Sequence, residues 1–122
     1  MNRSYFIVLI AALVILTSCG SNIPSGHYDQ FAKCLTEKGA TFYGAFWCPH
    51  CEKVKKSFGD SVQYLHYVEC DPRGENSQSD LCIEKKIERY ATFEFADGTR
   101  IEGEPTHQQL SEKTGCPLPP TP

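Results

Sequence analysis

The chain has 122 residues, 40 % of them hydrophobic, with 12 basic against 15 acidic side chains and a formal net charge of −3. That length holds one small domain and no more. The mild acidity, without any basic block or basic–aromatic interleaving, argues against a nucleic-acid role.

Residues 1–18 read as a signal segment outside the fold. Arg3 supplies a short basic start, and Tyr5 to Leu16 is a run of twelve apolar residues. That is signal-peptide length and short of the roughly 20 residues a spanning helix needs. The run ends in Leu16-Thr17-Ser18-Cys19, which resembles a bacterial lipoprotein signal, where a Leu and two small residues precede a cysteine at the cleavage site. The resemblance implies that Cys19 becomes a lipidated N-terminus and anchors the protein in the bacterial cell envelope, facing the periplasm or the exterior. The alternatives are an ordinary secretory signal or an uncleaved anchor, with Cys19 an idle thiol; no A-x-A cleavage pattern is present. Residues 19–26 then form the lipidated cysteine and its tether, with Pro24, Ser25 and Gly26 as loop formers.

Residues 27–116 hold the expected domain. A first helix runs from about His27 to Lys38, with Tyr28, Phe31, Ala32 and Leu35 on one face and Gly39 as its stop. Thr41 to Trp47 is aromatic and reads as a buried strand. It leads into Trp47-Cys48-Pro49-His50-Cys51, and Cys51, Val54 and Phe58 share one face of the helix that follows. Cys48 therefore sits at a helix N-terminus, where unpaired N–H groups and the macrodipole favour a thiolate. Pro49 suits the first helical turn because its missing N–H costs nothing there. A protonated His50 adds positive charge beside the Cys48 sulfur. Trp47 reads as surface around Cys48, although an aromatic ending a strand is as often ordinary packing.

Val62 to Glu69 is the next expected strand, with large side chains on both faces and hence a central, doubly covered place in the sheet. His66 on it reads as a half-buried sheet residue, with no partner at metal spacing. A third helix, Ser79 to Arg89, turns Ile83, Ile87 and Tyr90 inward. Thr92 to Ala96 and Thr99 to Ile101 flank Asp97-Gly98, a strong hairpin signal. Thr106-x-x-Gln109 is a capping box opening a last helix that stops at Gly115, and 117–122 is a Pro-rich tail. The order α-β-α-β-α-β-β-α describes an α/β fold, a mixed sheet of about four strands with helices on both faces.

The chain has seven cysteines, which in an exported protein point to oxidising surroundings. A C-x-x-C is also half of many zinc sites, but no second paired motif follows, and the strand–turn–helix context favours redox over structural zinc. Cys70 and Cys82 flank a polar stretch; a disulfide across it would staple a long loop, worth on the order of 3 kcal/mol. Cys34 and Cys116 either pair or remain two buried thiols, and the reading leans to thiols.

With W-C-P-H-C opening its second helix, the chain resembles the thioredoxin superfamily. Tyr43 to Cys51, Tyr67-Val68-Glu69-Cys70-Asp71-Pro72 and Leu81-Cys82 are together similar to the thioredoxin-like domain attached to bacterial vitamin K epoxide reductase homologues. The likeness spans roughly Phe31 to Pro117. It implies that Cys48 and Cys51 are the redox pair and that Cys70–Cys82 is a structural disulfide; no cofactor and no metal are expected. It also implies a separate quinone-linked membrane protein that re-oxidises the domain. The family carries a cis-proline before its third strand, facing the active cysteines. Here that position is Ala91, and since a cis bond before a non-proline residue costs ~2.5–4 kcal/mol, a trans Tyr90–Ala91 peptide is expected. In the family that proline shapes the substrate groove and keeps metals off the cysteines, so the resemblance implies that Ala91 bears on substrate release or metal exclusion. Many thioredoxins also bury an acid where this chain has Phe42.

These readings lead to a lipid-anchored thiol–disulfide oxidoreductase. Cys48 exchanges with the cysteines of exported client proteins, Cys51 resolves the mixed disulfide, and net oxidation is expected because the Pro-His dipeptide resembles that of periplasmic disulfide oxidases. The alternatives are a reductase of extracytoplasmic disulfides and a non-catalytic metal-binding carrier that uses the same two thiolates. The blandest is an inert domain that lost its activity along with the proline.

Overall fold

The computed structural model describes residues 22–122. The signal segment, Cys19 and the start of the tether therefore lie outside the described residues. Helix α1 (Asp29–Glu37) buries Phe31, Ala32 and Leu35, and strand β1 (Thr41–Gly44) follows. Helix α2 (Pro49–Phe58) buries Cys51, Val54 and Phe58 and runs into a 3-10 helix, Gly59–Tyr64. Strand β2 (Tyr67–Glu69), helix α3 (Ser79–Glu84), strands β3 (Thr92–Glu94) and β4 (Arg100–Glu102) and helix α4 (His107–Thr114) complete the order.

One sheet runs β2-β1-β3-β4. β1 is parallel to β2, pairing Phe42 with Tyr67, and antiparallel to β3, pairing Phe42 with Phe93. β1 is thus the interior strand that leads into the C-x-x-C turn. Alternation sends Phe42 into the main core with Phe31, Leu35, Phe58, Phe93 and Leu110, and Tyr43 into a smaller cluster with Val68, Cys70 and Cys82. The expected mixed α/β sheet of four strands is present. Among the described residues no helix is long and apolar enough to cross a membrane.

Several expectations give way to tertiary contacts. Val62 to His66 is not strand, and β2 lies at the sheet edge rather than its centre. The turn before α1 captures this segment: Asp60 accepts from Ser25 Oγ and from Gly26 N, and Ser61 Oγ donates 2.8 Å to Asp29. Thr36 Oγ1 then donates to Tyr64 O at 2.7 Å and accepts from His66 N at 3.1 Å, taking both groups out of any ladder. His66 is exposed rather than half-buried. Helix α3 stops at Glu84, and Ile83 is 74 % exposed instead of inward. Its last carbonyls are claimed by Arg100, whose Nη2 donates 2.6 Å to Lys85 O. Cys34 and Cys116 are not two thiols but a disulfide joining α1 to the C-terminal segment. Their spacing of 82 residues hides a proximity created when α1 and α4 pack on one core. Cys70 and Cys82 are the second disulfide.

The local signals hold. Gly98 N donates 2.8 Å to Phe95 O at the hairpin turn. Thr106 Oγ1 accepts from Gln109 N at 3.1 Å while Gln109 Oε1 accepts from Thr106 N at 2.8 Å, completing the capping box of α4.

His107, the first residue of α4, packs its ring 4.3 Å from Tyr28 and 4.5 Å from Phe58. Burial, with the nearby His27, holds its pKa below the ordinary histidine value. The unfolded chain takes up a proton at His107 near pH 6.5, whereas the folded chain resists it. Its contribution is therefore complete above that pH and is lost as pH falls below it toward the folded pKa. The urea midpoint should fall between pH 7.5 and 5.5, and His107→Phe should lessen that fall; an unchanged fall in the variant would assign it to other groups.

Candidate active site

The site begins where β1 ends. Gly44 and Ala45 are followed by a turn closed by Cys48 N donating 3.0 Å to Ala45 O. Cys48 then caps α2, in extended backbone, with Pro49 in the first turn. Its Sγ accepts from the backbone N–H of Cys51 at 3.4 Å, as the sequence motif leads one to expect of a cysteine at a helix N-terminus. Cys48 and Cys51 are both free thiols, Cys48 3 % exposed and Cys51 fully buried. Burial pushes the Cys51 thiol up to about 12, and its hydrogen bond with Cys48 adds to the rise. Both sulfurs are buried, and they are unequal in that Cys48 caps a helix N-terminus while the Cys51 thiol is pushed up.

Around this pair the structure places the remaining expected residues. Trp47 is 53 % exposed, so it is surface and not core. Its indole Nε1 donates 2.7 Å to Asp71 and its ring stands 6.1 Å from Tyr90. The Arg73 guanidinium and backbone, with the Trp47 indole, hold the Asp71 carboxyl well below the usual carboxylate range. His50 is held by a partner that sequence reasoning missed: its Nδ1 lies 2.6 Å from Glu104 Oε1, with Lys53 Nζ 3.4 Å from the same oxygen. That contact, strengthened by Lys53, lowers the Glu104 pKa. Glu104 lies 54 residues from His50, and only its place before Pro105 at the start of α4 hints at a turn toward the site.

Ala91 is fully buried in the same cluster as Cys48 and Cys51. The Tyr90–Ala91 peptide is cis, not trans as expected. The expectation weighed a local preference alone, while at this position the enclosing contacts decide: Ala91 O accepts from Gly103 N at 2.8 Å and Tyr90 packs on Trp47. Phe42, in place of a buried acid, stacks on Phe93 with ring centroids 4.7 Å apart.

Two more residues escaped the sequence reading. Tyr67 Oη donates 2.9 Å to Glu69 Oε2, and Glu69 is 5 % exposed. Burial, then the contact with Glu69, raises the Tyr67 pKa far above its ordinary value. The sequence signals were their place in the family-like segment Tyr67 to Pro72 and strand alternation, which puts residues 67 and 69 on one face.

The arrangement can open and close a disulfide between Cys48 and Cys51. Among the described residues no group of three His, Cys, Asp or Glu stands where it could hold a metal ion, so a metal here would rest on the two thiolates.

No protein-family model matches the chain. It is similar to "Thiol-disulfide oxidoreductase LTO1" of Arabidopsis thaliana, 38 % identical in an alignment of 102 residues that covers 80 % of this chain and 27 % of that protein. The chain thus spans about a quarter of the length of that relative. Sheet order, capped cysteine and this likeness converge: the chain has a thioredoxin-like fold and is a homologue of a thiol–disulfide oxidoreductase.

Proposed function

We propose that this chain is a lipid-anchored thiol–disulfide oxidoreductase of the bacterial cell envelope that promotes disulfide formation in exported proteins. The observation that carries the reading is the inequality of the two sulfurs. Cys48 Sγ sits on a helix N-terminus and accepts the Cys51 N–H, while Cys51 is buried with its thiol pushed up to about 12. Such a site stabilises the dithiol with Cys48 as the reactive member, which makes the disulfide form an oxidant. Clients are exported proteins carrying cysteines. The partner that restores the disulfide is a quinone-linked membrane protein of the vitamin K epoxide reductase type, and Cys19 carries the lipid.

One contact favours a second reading. Glu104 beside His50 offsets the positive charge that would stabilise a Cys48 thiolate and so pulls the potential down, toward a reductase of extracytoplasmic disulfides. The reduction potential decides between them, read by alkylation and mass after equilibration in glutathione buffers. We expect about −120 to −180 mV, the range of oxidases and isomerases. A value near about −270 mV makes the protein a reductase. Retention of Cu(I) or zinc without equilibration overturns both.

A further inference from the structure

Closing the Cys48–Cys51 bond requires the buried Cys51 thiol to lose a proton, and the position that thioredoxins give to an acid is here Phe42, stacked in the core. The chain must dispose of that proton by other groups. Gly44 shows where they are. A β-carbon at position 44 would stand 2.7 Å from Cys51 Sγ, 2.9 Å from a Tyr67 ring carbon and 3.3 Å from Tyr67 Oη. The sulfur and the phenol therefore border the same patch of bare backbone, space that a side chain at position 44 would fill. Beyond the phenol lies Glu69, taking the Tyr67 hydroxyl on Oε2 and the Asp71 N–H on Oε1, each at 2.9 Å. The loop after β2 covers this carboxyl so closely that a β-carbon at Gly74 would stand 2.4 Å from Glu69 Cγ.

The other groups facing Cys51 do not offer this route. Cys48 is the sulfur to be attacked, and Lys55, from α2, lies over the Tyr67 ring at 4.1 Å. Tyr90, before β3, feels both cysteines, Glu69 and Asp71, but among the described residues its hydroxyl has no hydrogen-bonded carboxyl to pass a proton to.

We propose that Tyr67 and Glu69 form the proton relay of Cys51, Tyr67 as the group that exchanges a proton with the sulfur and Glu69 as the residue that positions the phenol and takes up its proton. The inference rests on the thiol–disulfide exchange proposed above. In the step concerned, Cys48 is already joined to one sulfur of an acceptor disulfide. Cys51 S–H passes its proton to Tyr67 Oη as the Tyr67 hydroxyl proton moves to Glu69 Oε2. The Cys51 sulfur then attacks Cys48 Sγ; the Cys48–Cys51 bond forms, the bond to the acceptor breaks, and the acceptor sulfur leaves as a thiolate with the electron pair. The cysteine pair is oxidised and the acceptor disulfide reduced. The same step serves an oxidase being recharged and a reductase acting on a client.

The test uses the full chain, reduced and mixed with oxidised glutathione, then quenched in acid so that mass spectrometry separates attack by Cys48 (glutathione adduct formed) from resolution by Cys51 (adduct lost). Tyr67→Phe should leave attack unchanged and slow resolution roughly 100-fold at pH 7, with the deficit shrinking as pH rises and hydroxide replaces the relay. Glu69→Gln, similar in shape, should slow resolution in the same pH-dependent way, and it decides the matter if Tyr67→Phe does not fold. Resolution at the unaltered rate, or slowing of both steps equally at every pH, overturns the relay and leaves Tyr67 and Glu69 a structural role. An unaltered chain that forms no glutathione adduct overturns the exchange chemistry itself, and the relay with it.

Discussion

Cys51→Ala should turn the protein into a trap. Cys48 keeps its place on the end of α2 but loses the sulfur that releases it, so mixed disulfides with client proteins should accumulate and survive non-reducing electrophoresis. Cys48→Ser should form none, because the remaining thiol is fully buried and that burial disfavours its thiolate. Each variant should lower turnover of a reduced model protein by on the order of 10³-fold or more, as removal of one member of a cooperating pair does. The asymmetry between the variants is the diagnostic part. Trapping by Cys48→Ser rather than by Cys51→Ala would exchange the roles of the two sulfurs. Trapping by neither would remove covalent exchange from the account.

The second large effect concerns stability. Cys34–Cys116 closes a loop of 82 residues and Cys70–Cys82 one of 12. In the chain-entropy model these separations correspond to about 4.5 and about 3 kcal/mol, against a total of roughly 5–15 kcal/mol for a small domain. The double variant Cys34→Ala, Cys116→Ala should therefore lose most of its resistance to urea, and the pair Cys70→Ala, Cys82→Ala distinctly less. Unfolding midpoints of the two variants and the unaltered chain measure this directly. The reverse order would mean that the C-terminal segment gains little from its tie to α1.

How far the sequence could be read follows from the range of the forces involved. The turn into Cys48, the capping box at Thr106 and the Asp97-Gly98 hairpin are settled by neighbours within four residues, and each stands as expected. Val62 to His66 had the alternation of a strand, but Thr36 and the Ser25–Asp29 turn, distant in sequence, bind its polar groups and bend it into a 3-10 turn. Ile83 had helical spacing toward the core, but α3 ends a residue later under the pull of Arg100. The site divides in the same way. Trp47, Cys48, Pro49, His50 and Cys51 are contiguous and were legible. Glu104, Tyr67 and Glu69 reach the site through the fold, and a tyrosine two residues from a glutamate is unremarkable until β2 lies beside Gly44.

The two stapling disulfides bear on how the protein comes into being. Cys70, Cys82 and Cys116 are buried almost completely, so once formed they are shielded from the exchange chemistry of Cys48. Before folding, these sulfurs lie open to an outside oxidant. On the function proposed above, a newly made copy is a client before it is a catalyst. If older copies perform that oxidation, the protein seeds its own maturation, and its supply depends on a founding pool handed on from one generation of the cell to the next.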